Sequence, residues 1–328
     1  MKVGRFYVDG FLVALAAAIA TAALAPGLGA SGGPLRVDLL ASGAVVVVFF
    51  LHGVQLPLET LAAGIRELRL HVLVQSSTWL LFPALGLLVL PLGGRLLPSG
   101  LALGFFFLCA SSSTITSSVA LTAVAGGNVP GALFNATLSA LLGVVLTPLY
   151  AGVVADASQL GGSLPSAVGS VALKLLLPLA LGQLLRWRLA GLFARYRDAT
   201  GFVDRAAIVL IVYGAFCDSI GAGVWTVHSL GAVLLVAAMS LLLFACVTLA
   251  IRSAARALGF GRAEEIAALF CGSQKSLVNG LPIAKVLFGG SPDLGLIVLP
   301  LMLYHQVQLT LGAVIARRYR AQRHRSPV

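Results

Sequence analysis

Eight consecutive residues, Ser111 to Ser118, read SSSTITSS, and seven of them carry a hydroxyl. These are Ser111, Ser112, Ser113, Thr114, Thr116, Ser117 and Ser118, set between Phe105-Phe106-Phe107-Leu108 and Val119-Ala120-Leu121. A hydroxyl taken out of water is costly unless it finds a hydrogen-bond partner, so a cluster of them in an apolar stretch points to something polar being held there. A second polar run, Gly272-Ser273-Gln274-Lys275-Ser276 followed by Asn279-Gly280 and Pro282, interrupts another apolar stretch. Glycine and proline break helices, and serine and threonine offer the backbone competing hydrogen bonds. Both runs are therefore expected to unwind. Unwinding exposes carbonyl oxygens that suit a cation and helix N-termini that suit an anion. The plainer alternative, hydroxyls bonded back to their own helix for packing alone, suits one or two such residues better than seven with a matched partner run.

Lys275 is the sharpest single residue. A lysine at the centre of a membrane span costs about 2.5–3.5 kcal/mol, and no acid lies within several residues of it. It is expected to hold an anion or to act as a built-in cation. Gln75 and Asn135 are further candidates to line the site, and His305 is a candidate proton relay, since histidine titrates near neutral pH. Gln183, Asp218, Gln306 and Gln308 are other polar groups within or at the ends of apolar stretches, and Lys174 is placed where it can reach an interface.

The elements that must position these residues are membrane helices. The chain has 328 residues, of which 59% are hydrophobic and 10% charged, well short of the charge a soluble domain carries. Ten spans fit the hydropathy: 8–25, 35–54, 70–92, 101–124, 129–155, 164–185, 202–220, 230–250, 266–288 and 294–316. The opening run after Lys2 and Arg5 resembles a signal peptide, but further spans follow at once, so it reads as an uncleaved first span. Most of the 22 Lys and Arg residues fall at the N-terminus, in the connections after even-numbered spans and in the C-terminal tail. That asymmetry predicts both termini in the cytoplasm. Between Arg186 and Arg205, arginines alternate with Trp187, Leu192, Phe193 and Tyr196, a pattern that predicts an interfacial helix.

Phe107-Leu108-Cys109-Ala110-Ser111 is similar to Leu269-Phe270-Cys271-Gly272-Ser273, and Gly126-Gly127 with Pro130 is echoed by Gly289-Gly290 with Pro292. Span four thus matches span nine. An offset of five spans sets the two copies in opposite membrane orientations, the pattern of inverted-repeat transporters.

Several function classes drop out. Cys109, Cys217, Cys246 and Cys271 all lie in apolar segments without a metal-binding spacing. The net charge of +11 sits between spans rather than on a nucleic-acid-binding face. Gly27-x-Gly29-x-x-Gly32 lacks the strand a dinucleotide fingerprint needs. Gly29-Ala30-Ser31-Gly32 resembles a protease nucleophile motif, but it falls in a glycine-rich connection and an enzyme is not expected.

Cys109 to Asn128, Gly126-Gly127-Asn128-Val129-Pro130, Phe134-Asn135-Ala136 and Phe270-Cys271-Gly272-Ser273-Gln274-Lys275-Ser276 together resemble the bile acid:sodium symporter family, in the branch of its vertebrate member seven and bacterial relatives. The resemblance runs along nearly the whole chain. It implies an all-α polytopic fold of ten transmembrane helices in two inverted repeats of five, about 8–155 and 164–316, with broken helices four and nine crossing. A single transporter domain over 1–328 is implied, with a core of spans three to five and eight to ten and a panel of spans one, two, six and seven. It also implies possible sodium ligands at Gln75, Ser118 (or its neighbour Ser117) and Gln274. Where the family has a shared glutamate ligand the chain has Phe270, its asparagine after the serine is Val119, and Lys275 replaces a neutral residue. Losing a carboxylate and gaining an ammonium leads to the expectation that Lys275 occupies or neutralises one sodium position. Coupling is then to protons, to one sodium ion, or absent. The resulting expectation is a secondary transporter of a small, anionic organic solute in the inner (plasma) membrane, with no cofactor beyond Na+ or H+ as coupling ion. The alternative is a non-transporting regulator or assembly partner on the same scaffold.

Overall fold

A backbone crossing a membrane must satisfy its own polar groups, and the α-helix does so within one segment. In a computed structural model of the protein, residues 2–3, 6–7, 10–55, 67–92, 95–155, 169–224 and 230–323 are described. Among them the regular secondary structure is helical apart from a pair of two-residue strands, Lys2–Val3 and Phe6–Tyr7. Among the described residues seven helices are long and apolar enough to cross a membrane, the longest Leu294–Gln322 with 29 residues. Val13–Leu24, Ser99–Ala110 and Thr116–Ala125 are apolar but shorter. The fourth and ninth expected spans are each split in two, and this is why neither counts as one long helix.

By its contacts the chain divides into two units. The first comprises Met1–Leu56, Ala155–Ser229 and Leu281–Val298. Its helices include α1 (Gly10–Leu24), the short turn α2 (Pro26–Gly29) and α3 (Val37–Gln55). Apolar side chains gain little from leaving lipid for protein, so membrane helices associate through close packing of small residues. Here α3 meets a helix of Leu177–Arg195 backbone to backbone. A Cβ on Gly53 would lie 2.1 Å from Leu179 O, and one on Gly182 would lie 2.1 Å from Phe50 O. Asp218 lies in the helix Arg197–Gly221. Its carboxylate accepts from Ser31 N–H at 2.6 Å and from Ser31 Oγ at 2.8 Å, tying down the glycine-rich turn. The serine in the protease-like motif is therefore a structural donor. The expected interfacial helix is not a separate element. Arg186–Arg195 completes the helix begun at Leu177, and after a break at Tyr196 the next helix starts at Arg197. Lys174 is exposed on a π-helical turn, Ala172–Leu176.

The second unit comprises Pro57–Val154, Leu230–Gly280 and Leu299–Val328. It holds α4 (Leu68–Ser76), a π-helical turn Ser77–Leu81 and α5 (Phe82–Leu87). These are followed by α6 (Ser99–Ala110), α7 (Thr116–Ala125) and α8 (Val129–Val154). From the second half of the chain come α9 (Leu230–Ala257) and α10 (Arg262–Ser273), and then parts of α11 (Leu277–Phe288) and α12 (Leu294–Arg323). Phe82 and Phe244 pack edge-on against buried Tyr304 with ring centroids 6.0 and 6.1 Å away. At the end where α9 gives way to α10, buried Glu265 accepts from Arg252 Nε, Arg256 Nε and Tyr319 Oη at 3.2, 3.4 and 2.7 Å. That cluster pins the three helices α9, α10 and α12 together.

Candidate functional site

The helices are interrupted at 111–115 and 274–276, within the two polar runs. Ser111 and Gln274 adopt extended backbone, with ψ of 154° and 148°, immediately after α6 and α10. At about 1.5 Å per residue each of these helices is about 18 Å long, short of a ~30 Å hydrocarbon layer. The breaks meet: Ser276 N–H donates to Ser112 O at 2.8 Å, and Ser113 Oγ donates to Cys271 O at 2.6 Å.

A helix end leaves its last carbonyls without partners, and buried ones must find donors elsewhere. In a continuous helix Cys109 O would accept from Ser113 N–H, but that N–H goes to Ser139 Oγ at 2.9 Å. Ala110 O instead takes Thr147 Oγ1 at 2.8 Å. At the other break, Lys275 N–H goes to Gln308 Oε1 at 2.7 Å, and Gln308 Nε2 returns a bond to Lys275 O at 2.8 Å. Gly272 O accepts from Ser77 Oγ at 3.0 Å and Ser273 O from Tyr304 Oη at 2.6 Å.

Lys275 fills the remaining places. Its side chain has 0% relative exposure. Nζ donates to Ser111 O at 2.7 Å, Cys109 O at 2.8 Å and Thr78 O at 3.2 Å. Thr78 O is free for it because of the π turn. Phe82 N–H bonds to Ser77 O, and the next residue, Pro83, has no N–H. The same proline leaves Trp79 O to the Tyr150 hydroxyl, 2.6 Å away. The Phe82 ring lies 4.0 Å from Nζ, a cation–π contact that adds to the three carbonyls.

The residues singled out from the sequence have different fates. Ser111, Ser112, Ser113, Thr114 and Ser118 are buried, as are Ser273, Gln274 and Ser276. Ser111 Oγ and Ser273 Oγ bond back to Phe107 O and Leu269 O within their helices, the plainer reading for those two hydroxyls. Ser117 and Ser118 both donate to Gln274 Oε1, and Ser118 Oγ also lies 3.2 Å from Phe270 O. Gln274 Nε2 is buried with no hydrogen-bond partner. Asn279 Nδ2 donates to Ser112 Oγ at 3.3 Å, whereas Thr116 is exposed. Gln75 lies in a separate ladder along α4, where its Oε1 accepts from Trp79 Nε1 and its Nε2 donates to Asn135. Asn135 Nδ2 lies 2.9 Å from His71 Nδ1. The three candidate sodium ligands thus fall into two clusters, Gln75 in one and Ser118 with Gln274 in the other, that share no hydrogen bond among the described residues. His305 Nδ1 lies 2.9 Å from Gln308 Nε2, which also serves Lys275 O.

Ser139, Thr147, Tyr304 and Gln308 hold the breaks open, and the polar runs themselves do not reveal them. A signal was present on α8. Asn135, Ser139, Gly143 and Thr147 recur every four residues, a small and polar ridge along one side of the helix. Gly143 must lack a side chain, because a Cβ there would lie 2.6 Å from Ser112 Cβ.

Discontinuous helices whose unwound segments join inside a membrane-embedded helical unit are the architecture of secondary transporters. The sequence profile of the SBF-like CPA transporter family matches residues 9–321. A Pseudomonas aeruginosa protein of uncharacterized role is 41% identical over 97% of this chain and 95% of its own length. YfeH of Escherichia coli K12, whose name proposes a symporter, is 41% identical over 86% of this chain and 85% of its own. The protein named sodium/bile acid cotransporter 7 in Danio rerio is 31% identical over 95% of this chain and 94% of its own. The chain belongs to the SBF-like CPA transporter family; it is an integral membrane transporter and not an enzyme.

Proposed function

We propose that the protein carries a small organic anion across the inner (plasma) membrane by alternating access, with both termini in the cytoplasm. One observation carries this reading: two interrupted helices hydrogen-bond to each other at their breaks around a buried ammonium. The fold behind it is ten spans in two inverted repeats. Cys109 and Ser113 of one break correspond to Cys271 and Lys275 of the other, and the contacts are reciprocal. The Ser113 side chain reaches Cys271 O while the Lys275 side chain reaches Cys109 O. The N–H groups of Ser113 and Lys275 both turn to polar side chains, those of Ser139 and Gln308. Spans three to five and eight to ten serve as the core that holds the site, and spans one, two, six and seven as the moving panel.

The half-helices that begin after the breaks, at Thr116 and Leu277, present N-terminal N–H groups and a positive dipole end to an anion. Exposed Thr116 and half-buried Asn279 are the polar side chains there, with Ser112 and Ser276 behind them. A coupling ion, sodium or a proton, would use the remaining polar groups, the Gln274–Ser117–Ser118 cluster or the Gln75–Asn135 ladder. Purified protein in detergent, screened with carboxylates and sulfonates at constant ionic strength, should melt later with one class of anion. Thr116→Val should abolish that shift and the matching uptake into proteoliposomes without lowering the melting temperature of the free protein, and Asn279→Leu should abolish both while also costing the bond to Ser112 Oγ. A protein that no anion stabilises and that moves none across a membrane would overturn the reading in favour of a non-transporting scaffold.

A further inference from the structure

The Lys275 ammonium has three N–H donors, and all three are spent on backbone carbonyls. No ion pair found among the described residues involves it. Its acceptors are unusual in being carbonyls that secondary structure has released. The π turn with Pro83 frees Thr78 O, diversion of Ser113 N–H frees Cys109 O, and the break itself frees Ser111 O. Carbonyl oxygens aimed at one point, with an aromatic face beside them, make a binding site for a monovalent cation. An anion could not replace any of these partners, since the oxygens repel it, and the side chain has 0% exposure to offer one.

We propose that Thr78 O, Cys109 O and Ser111 O form a monovalent-cation site that the chain fills permanently with its own tethered ammonium, so that Lys275 is neither a substrate ligand nor a mobile coupling charge. A mobile cation entering this place would have to expel a covalently attached competitor. The cage stands on geometry alone; its consequence, that any ion coupling uses other groups of the centre, rests on the transport reading above. It follows that shortening the side chain uncovers a cation site that the wild type does not offer to solvent ions.

The test is the melting temperature of wild type, Lys275→Ala and Lys275→Met. Each is purified throughout in sodium, potassium, methylammonium or choline chloride at equal ionic strength. Wild type in each salt is the reference for the variants, so that any sodium bound at the other polar groups of the centre cancels. Both variants should melt lower in choline by at least about 5 °C, since three buried carbonyls lose their donor. Lys275→Ala should recover at least half of that loss in one of the three small cations. Lys275→Met, which fills the space with an apolar chain, should recover none. Equal melting of Lys275→Ala in choline and in all three small cations overturns the proposal. So does a Lys275→Ala protein of wild-type stability that has merely lost an anion-induced shift; that result would leave the transport reading standing and make Lys275 a substrate ligand. Reductive methylation of the wild type gives an answer that does not depend on the variants folding. Lys275 should stay unmodified in the native protein while exposed Lys174 reacts. Labelling of Lys275 at the rate of Lys174 overturns the closed cage.

Discussion

Replacing Gln308 by methionine removes the amide that stands in for the missing helical turn at the second break. In the native structure its Oε1 takes Lys275 N–H at 2.7 Å and its Nε2 gives to Lys275 O at 2.8 Å, all with 0% exposure. Methionine keeps the volume and deletes both bonds. Two buried backbone groups then lose their partners at about 1–3 kcal/mol each, so the expected loss is about 2–6 kcal/mol. The contact from Gln308 Nε2 to His305 is lost as well, but a side chain with room to turn costs less. For a chain of this size the melting temperature should fall by about 5 °C or more. Thermal denaturation in detergent measures the fall, and hydrogen exchange on a peptide covering 271–280 locates it, with faster exchange at the Lys275 amide. Gln306→Met, two residues away on the same helix and only half-buried, is the control and should stay within about 1 °C. If Gln308→Met melts as the wild type does and the 271–280 amides exchange no faster, the account of how the break is held is wrong.

Further predictions follow from close contacts and orphaned carbonyls. Gly143→Val puts a Cβ 2.6 Å from Ser112 Cβ, so it should push the first break off α8 and eliminate anion-dependent thermal shift and uptake. Gly182→Val drives a side chain into Phe50 O, 2.1 Å from the new Cβ, and should sharply lower the yield of folded protein on size-exclusion chromatography. Gly53→Val meets Leu179 O at the same interface, and the double variant should be little worse than either single one. Pro83→Ala returns an N–H that can satisfy Trp79 O, the carbonyl now served by Tyr150. Tyr150→Phe should therefore destabilise the wild type by about 1–3 kcal/mol but the Pro83→Ala protein by much less, and equal losses in the two backgrounds would show that the proline does not create the vacancy.

The amino-acid sequence by itself determined that two helices break at the polar runs and that the residues leading into the two breaks are similar. Those properties are local. Hydrophobic runs long enough for a membrane become helices, and clusters such as Ser111–Ser118 or Gly272–Ser276 compete with the helix ladder through side chains within a few residues. Tertiary structure decided what fills each vacancy the interruptions create. Lys275 reaches carbonyls of residues 166 and 197 positions away, Gln308 closes on its backbone from the last long helix, and a π turn at Ser77–Leu81 turns Thr78 O toward it. Carbonyl oxygens are the same at every residue, so no pattern of residue types marks which of them is left over. Only the approach of segments far apart in sequence determines which donor takes which oxygen, and with it whether a buried ammonium waits for a substrate or is already spent.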